Sequence, residues 1–333
     1  MSPITNCIRK QDTKTNPIWL MRQAGRYLPE FREIRKKNQD FIKLCLNSDL
    51  ASEITLQPIK RFGFDGAVIF SDILILPHGV GQKVEFEKNF GPRLGEIDLE
   101  KISNINDINF TEKISEVYNA ISKTSKDPIM NNRDMIGFVG APWTILVYMI
   151  NRSSPKKGLS NEFFQDDSLI NKLLLIIEKY LKLHIKNQVK AGAKVIQIFD
   201  SWAGLLKEKI PEYIYIPTSN IVEYTKNLGV PVICFPRGIK DYQNFCESVK
   251  PDAINIDYDV DPKKIVNEIK IPIQGGLDPK ILLTDKENLK KEVEKYLNIF
   301  KDHPYVFNLG HGILPETKIE MVENLIKIVR NFK

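Results

Sequence analysis

The chain has 333 residues, 42% of them hydrophobic and 27% charged, and its formal net charge is +6. It begins without the apolar segment of a secretion signal, and no run approaches the roughly 18 apolar residues of a membrane helix, so we expect a soluble cytoplasmic protein that does not contact a membrane. The excess lysines are spread among glutamates, which argues against a groove that binds nucleic acid. The four cysteines are not spaced for disulfides or for zinc, which argues against a disulfide framework and a metal site; they are Cys7, Cys45, Cys234 and Cys246.

Short apolar runs alternate with segments of helical periodicity along the chain. Because the runs are continuously apolar, they predict strands buried on both faces, as in a parallel sheet covered by helices. The predicted strands are 18–21, 67–70, 135–139, 194–199, 230–235, 253–256, 271–274 and 305–308. The predicted helices are 50–62, 111–125, 162–191, 211–228, 262–269, 285–301 and 316–332, with a further first helical turn at 29–32.

Eight strand-and-helix units predict a closed (β/α)8 barrel that forms a single domain over residues 1–333. An open doubly wound sheet is the alternative. The sequence lacks the Gly-x-Gly-x-x-Gly and Gly-x-x-x-x-Gly-Lys-Ser/Thr motifs that mark nucleotide-binding sheets, which disfavours it. Residues 84–86, ahead of a turn at Gly91 and Pro92, predict a small hairpin inserted at the barrel rim.

Two arginines in the first strand-to-helix loop are the first candidates for function. Arg22 and Arg26 lie on either side of Gly25, where the absence of a side chain lets the backbone approach a ligand. Two guanidiniums present rigid groups of donors suited to carboxylates or phosphates, so the loop predicts an anionic ligand. The alternative is a pair of surface arginines that bridge Glu30 and Glu33.

Polar residues also follow most of the other predicted strands. Active sites of (β/α)8 barrels are built from the loops at the carboxyl ends of the strands, so we expect these residues to surround one opening of the barrel. They are Ser71 and Asp72, the segment 140–144 with Tyr148 one turn later, and the segments 200–204, 235–238, 257–259, 275–279 and 310–312.

Three of these residues also have ordinary structural interpretations when each is taken alone. Asp72 is placed where a helix N-cap commonly occurs. His311, between two glycines, is compatible with a hydrogen-bonded loop histidine. Tyr148 is compatible with a core tyrosine whose hydroxyl has a partner.

Two longer motifs resemble the signatures of the uroporphyrinogen decarboxylase family. They are Pro-Ile-Trp-Leu-Met-Arg-Gln-Ala-Gly-Arg-Tyr-Leu-Pro-Glu at 17–30 and Gly-Phe-Val-Gly-Ala-Pro-Trp-Thr at 137–144, with supporting matches at 70–74, 200–204, 277–279 and 308–312 in family order. The resemblance implies a (β/α)8 barrel, a homodimer with neighbouring active-site mouths, and no cofactor or metal. It also implies decarboxylation of the four acetate side chains of uroporphyrinogen III to methyls, giving coproporphyrinogen III.

The resemblance assigns catalytic roles to four residues. Asp72 accepts the pyrrole N–H groups and stabilises the positive charge that develops on a protonated pyrrole. Arg22 and Arg26 hold substrate carboxylates, and Arg22 is our choice for proton delivery, with a water or substrate carboxyl relayed by it as the alternative. Tyr148 orients the reacting acetate near Asp72.

The remaining site residues are substrate contacts by the same resemblance. Ser201 hydrogen-bonds the substrate, and His311 contacts a propionate. The other predicted contacts are the backbone N–H groups of Gln23 and Ala24 beside Gly25, and the pocket-lining side chains of Phe31, Arg35 and Phe199.

The chain departs from the family pattern at two places. Gln274, Gly275 and Gly276 stand where the family usually has Gln-Gly-Asn, and the segment 151–158 is poorer in glycine than the usual loop. Two other protein classes remain as alternatives. One is a barrel that transfers methyl groups between corrinoids and thiols, disfavoured because its zinc-binding His-x-Cys is missing here. The other is a non-catalytic barrel that binds tetrapyrrole or RNA.

Overall fold

The computed structural model describes residues 2–10, 16–87, 90–156, 158–159, 161–164 and 166–332. Within these residues a curled seven-stranded parallel sheet, in the order β1-β4-β5-β6-β7-β8-β9, carries helices on its outer face. A two-stranded hairpin, β2-β3, lies apart from it. The strands are β1 (Gly66–Val68), β2 (Val84–Glu87), β3 (Gly91–Leu94), β4 (Asp134–Gly140), β5 (Val195–Asp200), β6 (Val232–Pro236), β7 (Ala253–Ile256), β8 (Ile273–Gly275) and β9 (Tyr305–Val306).

The helices connect successive strands, and most begin at an Asp or Asn side chain that accepts a backbone N–H of the first turn. Asn47, for example, accepts from the Leu50 N–H at 3.1 Å. The helices are α1 (Pro3–Lys10), α2 (Pro29–Lys37), α3 (Phe41–Cys45), α4 (Ser48–Phe62), α5 (Ile75–Val80), α6 (Leu99–Asn104), α7 (Asp107–Lys113), α8 (Ser115–Lys126), α9 (Pro142–Asn151), α10 (Asp167–Ala191), α11 (Ile216–Asn227), α12 (Tyr242–Val249), α13 (Pro262–Glu268), α14 (Lys286–Ile299) and α15 (Ile319–Asn331). None of the described helices is long and apolar enough to cross a membrane.

Seven of the eight predicted barrel strands are confirmed, and the hairpin at 84–86 is confirmed as β2 with β3. Predicted helix 111–125 is two helices separated at Ile114, and predicted helix 211–228 opens with a π-helical turn, Pro211–Tyr215. Predicted helix 162–191 begins later than expected, at Asp167, after a short 3-10 turn at Asn161–Phe164; residue 165 lies outside the described residues.

The prediction of a strand at 18–21 is wrong. This segment makes one parallel bridge, between Ile18 and Phe307. Beyond it, the backbone donors are taken by side chains: the Leu20 N–H donates to the Gln23 amide oxygen at 3.0 Å and the Met21 N–H to the Asn308 amide oxygen at 3.0 Å. A regular ladder needs those N–H groups for a neighbouring strand, so the segment ends in a loop instead.

The concave side of the sheet is closed at the amino end of its strands by α1. Ile4 and Cys7 of this helix are inaccessible to solvent and pack with Ile136 and Val195, which belong to the concave face. The carboxylate of Asp134, the first residue of β4, accepts the Ile4 N–H at 2.9 Å, so it caps α1 from another element.

Above α1 lies a layer of hydrogen-bonded polar side chains, Trp19, Gln197, Asn255 and Gln274, called here the polar layer. All four are inaccessible to solvent. The Trp19 indole N–H donates to the Gln274 amide oxygen at 2.8 Å. The Gln274 amide N–H groups donate to Gln197 at 2.9 Å and Asn255 at 2.7 Å. The concave side is therefore filled from α1 up to the carboxyl ends of the strands.

Candidate active site

The polar residues at the carboxyl ends of the strands share one edge of the sheet. Asp72 follows β1, Tyr148 lies in the second turn of α9, and Ser201 directly follows β5. His311 follows β9 in the loop before α15. All the strands that carry them are parallel members of one sheet, in which β1, β4 and β5 are neighbours and β9 is the last strand, so their carboxyl ends share this edge.

The loop 20–27, called here the arginine loop, is held in a tight conformation by Gln23. The Gln23 side chain is inaccessible to solvent, accepts the Leu20 N–H and donates to the Gly66 carbonyl at 2.9 Å. Its own backbone N–H donates to the Leu20 carbonyl at 2.9 Å, so this predicted substrate donor is already used within the loop. The Tyr27 hydroxyl donates to the Gln23 carbonyl at 2.8 Å.

Arg22 occupies the left-handed region of backbone conformation, with φ of 61°, which turns its side chain out of the segment 18–21. The side chain reaches solvent at the mouth of the site but is surrounded by protein on most sides. A Cβ at Gly312 would lie 2.3 Å from Arg22 Cδ. Glycine at 312 therefore lets the Arg22 side chain pass this close to the backbone of the loop after β9.

The charges around Arg22 have opposing effects on it. Burial lowers the pKa of the Arg22 guanidinium, and the nearby cations of Arg26 and Arg237 lower it further. Asp72 and Tyr148 raise it. Three other residues assigned to the site from sequence, Arg26, Asp72 and Tyr148, are thus within electrostatic range of Arg22.

Asp72 is the carboxylate at the centre of this group. It is partly accessible to solvent and accepts the Leu74 N–H at 2.8 Å, an interaction of the N-cap type considered above. Burial raises the pKa of Asp72 to about 6, while the Leu74 N–H and Arg22 oppose that rise. Capping occupies one oxygen and leaves the carboxylate able to accept further N–H donors.

Tyr148 lies on α9 and faces the loop after β5. Its ring meets that of Trp202 edge to face, with centroids 5.9 Å apart. Burial raises the pKa of the Tyr148 phenol, and the charge of Asp72 acts in the same direction, so the hydroxyl stays protonated at neutral pH. Ser201, beside Trp202, is partly accessible to solvent.

The position of Tyr148 depends on a buried pair that was not singled out from the sequence. The Thr144 hydroxyl, one turn earlier on α9, donates to the Asp200 carboxylate at 2.6 Å and accepts the backbone N–H of Trp202 at 3.1 Å. Asp200 ends β5 and is 2% exposed. Burial raises its pKa to about 7, against the Thr144 hydrogen bond. This pair ties α9 to the end of β5.

His311 is a neutral hydrogen-bond donor in this site. The Gly312 N–H donates to His311 Nδ1 at 2.7 Å, so the neutral ring carries its proton on Nε2. Burial lowers the pKa of His311 to about 4, and the charges of Arg22 and Arg237 lower it in the same direction. A ligand carboxylate is a suitable acceptor for the Nε2–H.

The residues predicted to line the pocket lie below or beside these groups. Phe199 is partly buried on the concave face, and its ring is 5.7 Å from that of Phe138. Phe31 is 5% exposed and packs edge to face against Phe70. The Arg35 guanidinium donates to the Gln39 carbonyl at 3.2 Å and lies over the Phe41 ring. Arg35 was predicted to line the pocket, but at least one of its N–H donors is already bonded within the protein.

One functional candidate, Arg237, was not chosen from the sequence. It directly follows β6, is partly accessible, and its Nε lies 3.6 Å from the Asp257 carboxylate. The only signal in the sequence was its place after a predicted strand. A single arginine there has the same appearance as a surface arginine, so the signal was too weak to select it.

The chemistry available at this edge is that of arginines and a neutral histidine near the Asp72 carboxylate, with Asp257 beside Arg237. Arginines and a neutral histidine suit an anion with several carboxylates, and Asp72 suits N–H donors or developing positive charge. Among the described residues, no group of three or more His, Cys, Asp or Glu side chains is arranged to hold a metal ion.

Comparison with known proteins gives a consistent result across the chain. Residues 1–332 match the family model described as uroporphyrinogen decarboxylase (URO-D). Proteins named uroporphyrinogen decarboxylase from Rickettsia bellii and Rickettsia africae are 41% and 40% identical to it, covering all of this chain and 99% and 98% of theirs. A solved methyltransferase from Methanosarcina mazei has a similar fold, with a TM-score of 0.81 at 16% identity over 99% of this chain and 97% of that one.

Proposed function

The chain belongs to the uroporphyrinogen decarboxylase family and is a carboxy-lyase of heme biosynthesis, and from this premise we propose which of its residues perform the reaction. The reaction removes carbon dioxide from the four acetate side chains of uroporphyrinogen III and gives coproporphyrinogen III. The observation that carries the residue assignment is a partly accessible Asp72 carboxylate within electrostatic range of the Arg22 guanidinium and of the neutral Tyr148 hydroxyl, at the carboxyl edge of the sheet.

The first proposed step is binding of the flexible tetrapyrrole to Asp72. Its four pyrrole N–H groups converge on the carboxylate, which folds the macrocycle over Asp72. Each N–H is a better partner for an ionised carboxylate than for a protonated one, so substrate lowers the raised pKa of Asp72. Binding therefore fixes the negative charge that the chemical step requires.

The proposed chemical step uses the pyrrole itself as the electron sink. A proton adds to a ring carbon, and the ring becomes cationic beside the Asp72 anion. The C–C bond to the acetate carboxylate then breaks, carbon dioxide leaves, and its bonding electrons neutralise the ring as an exocyclic methylene. Protonation of the methylene and loss of the ring proton give the methyl group, with one proton consumed for each carboxylate removed. The ring supplies the electron sink that a cofactor provides in other decarboxylations.

We assign the proton relay to Arg22. Burial and the charges of Arg26 and Arg237 lower the pKa of its guanidinium, which makes it a stronger acid than an isolated arginine. Its side chain also reaches solvent, so a water or a substrate carboxyl is available to restore the proton or to be relayed by it.

The other residues are proposed to position the substrate. Arg26 binds carboxylates at the mouth, Tyr148 donates its hydroxyl to the reacting acetate, and Ser201 donates to a second one. His311 donates its Nε2–H to a propionate. The Ala24 N–H adds a donor at Gly25, whereas Gln23 supports the loop from inside.

We further propose that residues 17–19 take the place of the eighth strand and complete a (β/α)8 barrel. The Phe307 N–H donates to the Pro17 carbonyl at 2.8 Å, and the Asp65 N–H donates to the Ile18 carbonyl at 2.9 Å. The segment thus lies between β9 and the start of β1. A single catalytic domain, a homodimer, a cytoplasmic location, and the absence of nucleic-acid and membrane partners remain predictions.

The decisive experiment is an anaerobic incubation of the purified protein with enzymatically generated uroporphyrinogen III, without added metal or cofactor. Chromatography resolves the products with seven to four carboxyls. We expect wild type to form coproporphyrinogen and Asp72→Ala to lose at least about 100-fold in rate, as for removal of one electrostatic group from a catalytic site. An active Asp72→Ala would refute the residue assignment, and an inactive wild type beside a working control decarboxylase would refute the reaction.

A further inference from the structure

Arg237 continues the concave face of the sheet to its carboxyl edge. Ile233 and Phe235 of β6 pack into the concave core, whereas Cys234 packs into the core between sheet and helices. Side chains alternate between the two faces of a strand, so Arg237, two residues past Phe235, falls on the concave side. Its side chain is 32% exposed, which leaves it accessible from the mouth.

The guanidinium is oriented by Asp257 but is not used up by it. The Asp257 side chain is 5% exposed, and its Oδ2 lies 3.6 Å from Arg237 Nε, beyond hydrogen-bond distance. A guanidinium has five N–H donors, so most remain for a second acceptor. Arg237 also affects the pKa values of Arg22 and His311, which places it near both.

We propose that Arg237 is a third carboxylate-binding arginine of the active site and that, together with the His311 Nε2–H, it holds a propionate of the tetrapyrrole during each of the four decarboxylations. This proposal rests on the proposed function. The choice of a propionate follows from position: Arg237 follows β6, which is three strands along the sheet from β1, the strand that Asp72 follows. A carboxylate held there is remote from the reacting acetate, and it must survive each turnover.

The test is the kinetics of Arg237→Met with two substrates, uroporphyrinogen III and the five-carboxyl intermediate that has one acetate left. Loss of a hydrogen bond to a charged group predicts a rise in KM of about 10- to 100-fold for both substrates, with kcat within about threefold. Arg237→Lys keeps the charge and should recover part of the affinity.

Two variants separate this role from a structural one. Arg237→Met with Asp257→Asn leaves no unpaired buried carboxylate and no change in net charge, and it should show the same rise in KM as Arg237→Met. Lys240→Met removes one exposed cation from the same segment and should leave KM within twofold of wild type.

Three results would overturn the proposal. KM within twofold of wild type in the double variant would exclude carboxylate binding by Arg237. A rise confined to uroporphyrinogen would assign Arg237 to an acetate instead of a propionate. An equal rise in KM for Lys240→Met would show that the effect of Arg237→Met comes from the loss of a positive charge in this segment and not from a contact with the substrate. A wild type with no activity on either substrate would instead refute the proposed function, which the wild-type rate reports separately.

Discussion

Asp72 carries a cost to stability in the absence of substrate. Burial raises its pKa from the ordinary 3.8 to about 6, so between these values the folded protein holds a proton that the unfolded chain has released. The stability associated with that proton is present at acid pH and is lost as the pH rises through about 6. At neutral pH the ionised carboxylate is therefore unfavourable in the free protein, as expected for a site whose ligand supplies the missing partners.

Because the raised pKa of Asp72 makes its ionised form destabilising, removing the ionisable group should stabilise the protein at high pH. Asp72→Asn keeps an acceptor for the Leu74 N–H but cannot ionise, so it should be more stable than wild type at pH 8, by at most about 3 kcal/mol at 1.36 kcal/mol per pKa unit. The difference should shrink towards pH 4. Urea unfolding at both pH values measures it, and a difference between the two proteins that does not change with pH would contradict the raised pKa.

The sequence assigned roles to individual candidate residues only where a family motif included them. Arg22, Asp72 and His311 belong to matched segments, and the fold brings all three to one edge. Arg237 and Asp200 lay in segments expected at the barrel opening but were given no role of their own, because what distinguishes them is strand register and a buried hydrogen bond. Neither feature is visible until the backbone is known.

At the scale of elements, the pair of Thr144 and Asp200 connects α9 to β5. The hydroxyl of Thr144 serves the carboxylate as donor and the Trp202 N–H as acceptor. Because Tyr148 lies one turn further on the same helix, a shift of α9 moves its hydroxyl with respect to Asp72. The pair therefore fixes the position of Tyr148, to which we assign a role in substrate positioning.

The second prediction concerns this pair. Thr144→Val removes both hydrogen bonds and should lower the free energy of unfolding by about 2–3 kcal/mol, with a reduced kcat. Thr144→Ser keeps the hydroxyl and should cost less than about 1 kcal/mol. Denaturant unfolding together with turnover rates tests this, and a loss in Thr144→Ser as large as that in Thr144→Val would contradict the dominant role given to the hydroxyl, because it would show that the methyl group contributes as much.

The helices and strands were largely predictable, because apolar runs and helical periodicity report burial directly. The failure at 18–21 has a physical cause that periodicity does not register. The run is apolar and buried like a strand, yet its N–H groups bond to the amides of Gln23 and Asn308. Side-chain competition for backbone donors depends on tertiary neighbours, one of them 287 residues away along the chain.

At the scale of the whole molecule, Asp65 joins the two ends of the chain. Its carboxylate accepts the Ile18 N–H at 2.7 Å and pairs with Arg330 of α15 at 2.8 Å. The same residue continues into β1, so the N-terminal segment, the first strand and the last helix meet at one side chain.

The third prediction tests this junction. Asp65→Ala leaves the buried Ile18 N–H without an acceptor and should cost about 2–3 kcal/mol of unfolding free energy. Asp65→Asn keeps an acceptor and loses only the charge of a partly exposed pair, for which we expect about 1 kcal/mol or less. Thermal or urea unfolding of the two variants distinguishes them, and an Asn variant as unstable as the Ala variant would mean that the ion pair dominates.

The polar layer and α1 restrict the routes by which protons and carbon dioxide can move during turnover. Trp19, Gln197, Asn255 and Gln274 are all inaccessible to solvent, so the polar layer itself offers no path for water through the concave side. If the macrocycle binds over Asp72 as proposed, four protons must enter and four molecules of carbon dioxide must leave through the opening that it covers. Between successive decarboxylations the bound macrocycle must then move away from the protein far enough to release carbon dioxide and to present its next acetate. We therefore expect solvent viscosity to slow the overall conversion more than it slows any single bond cleavage.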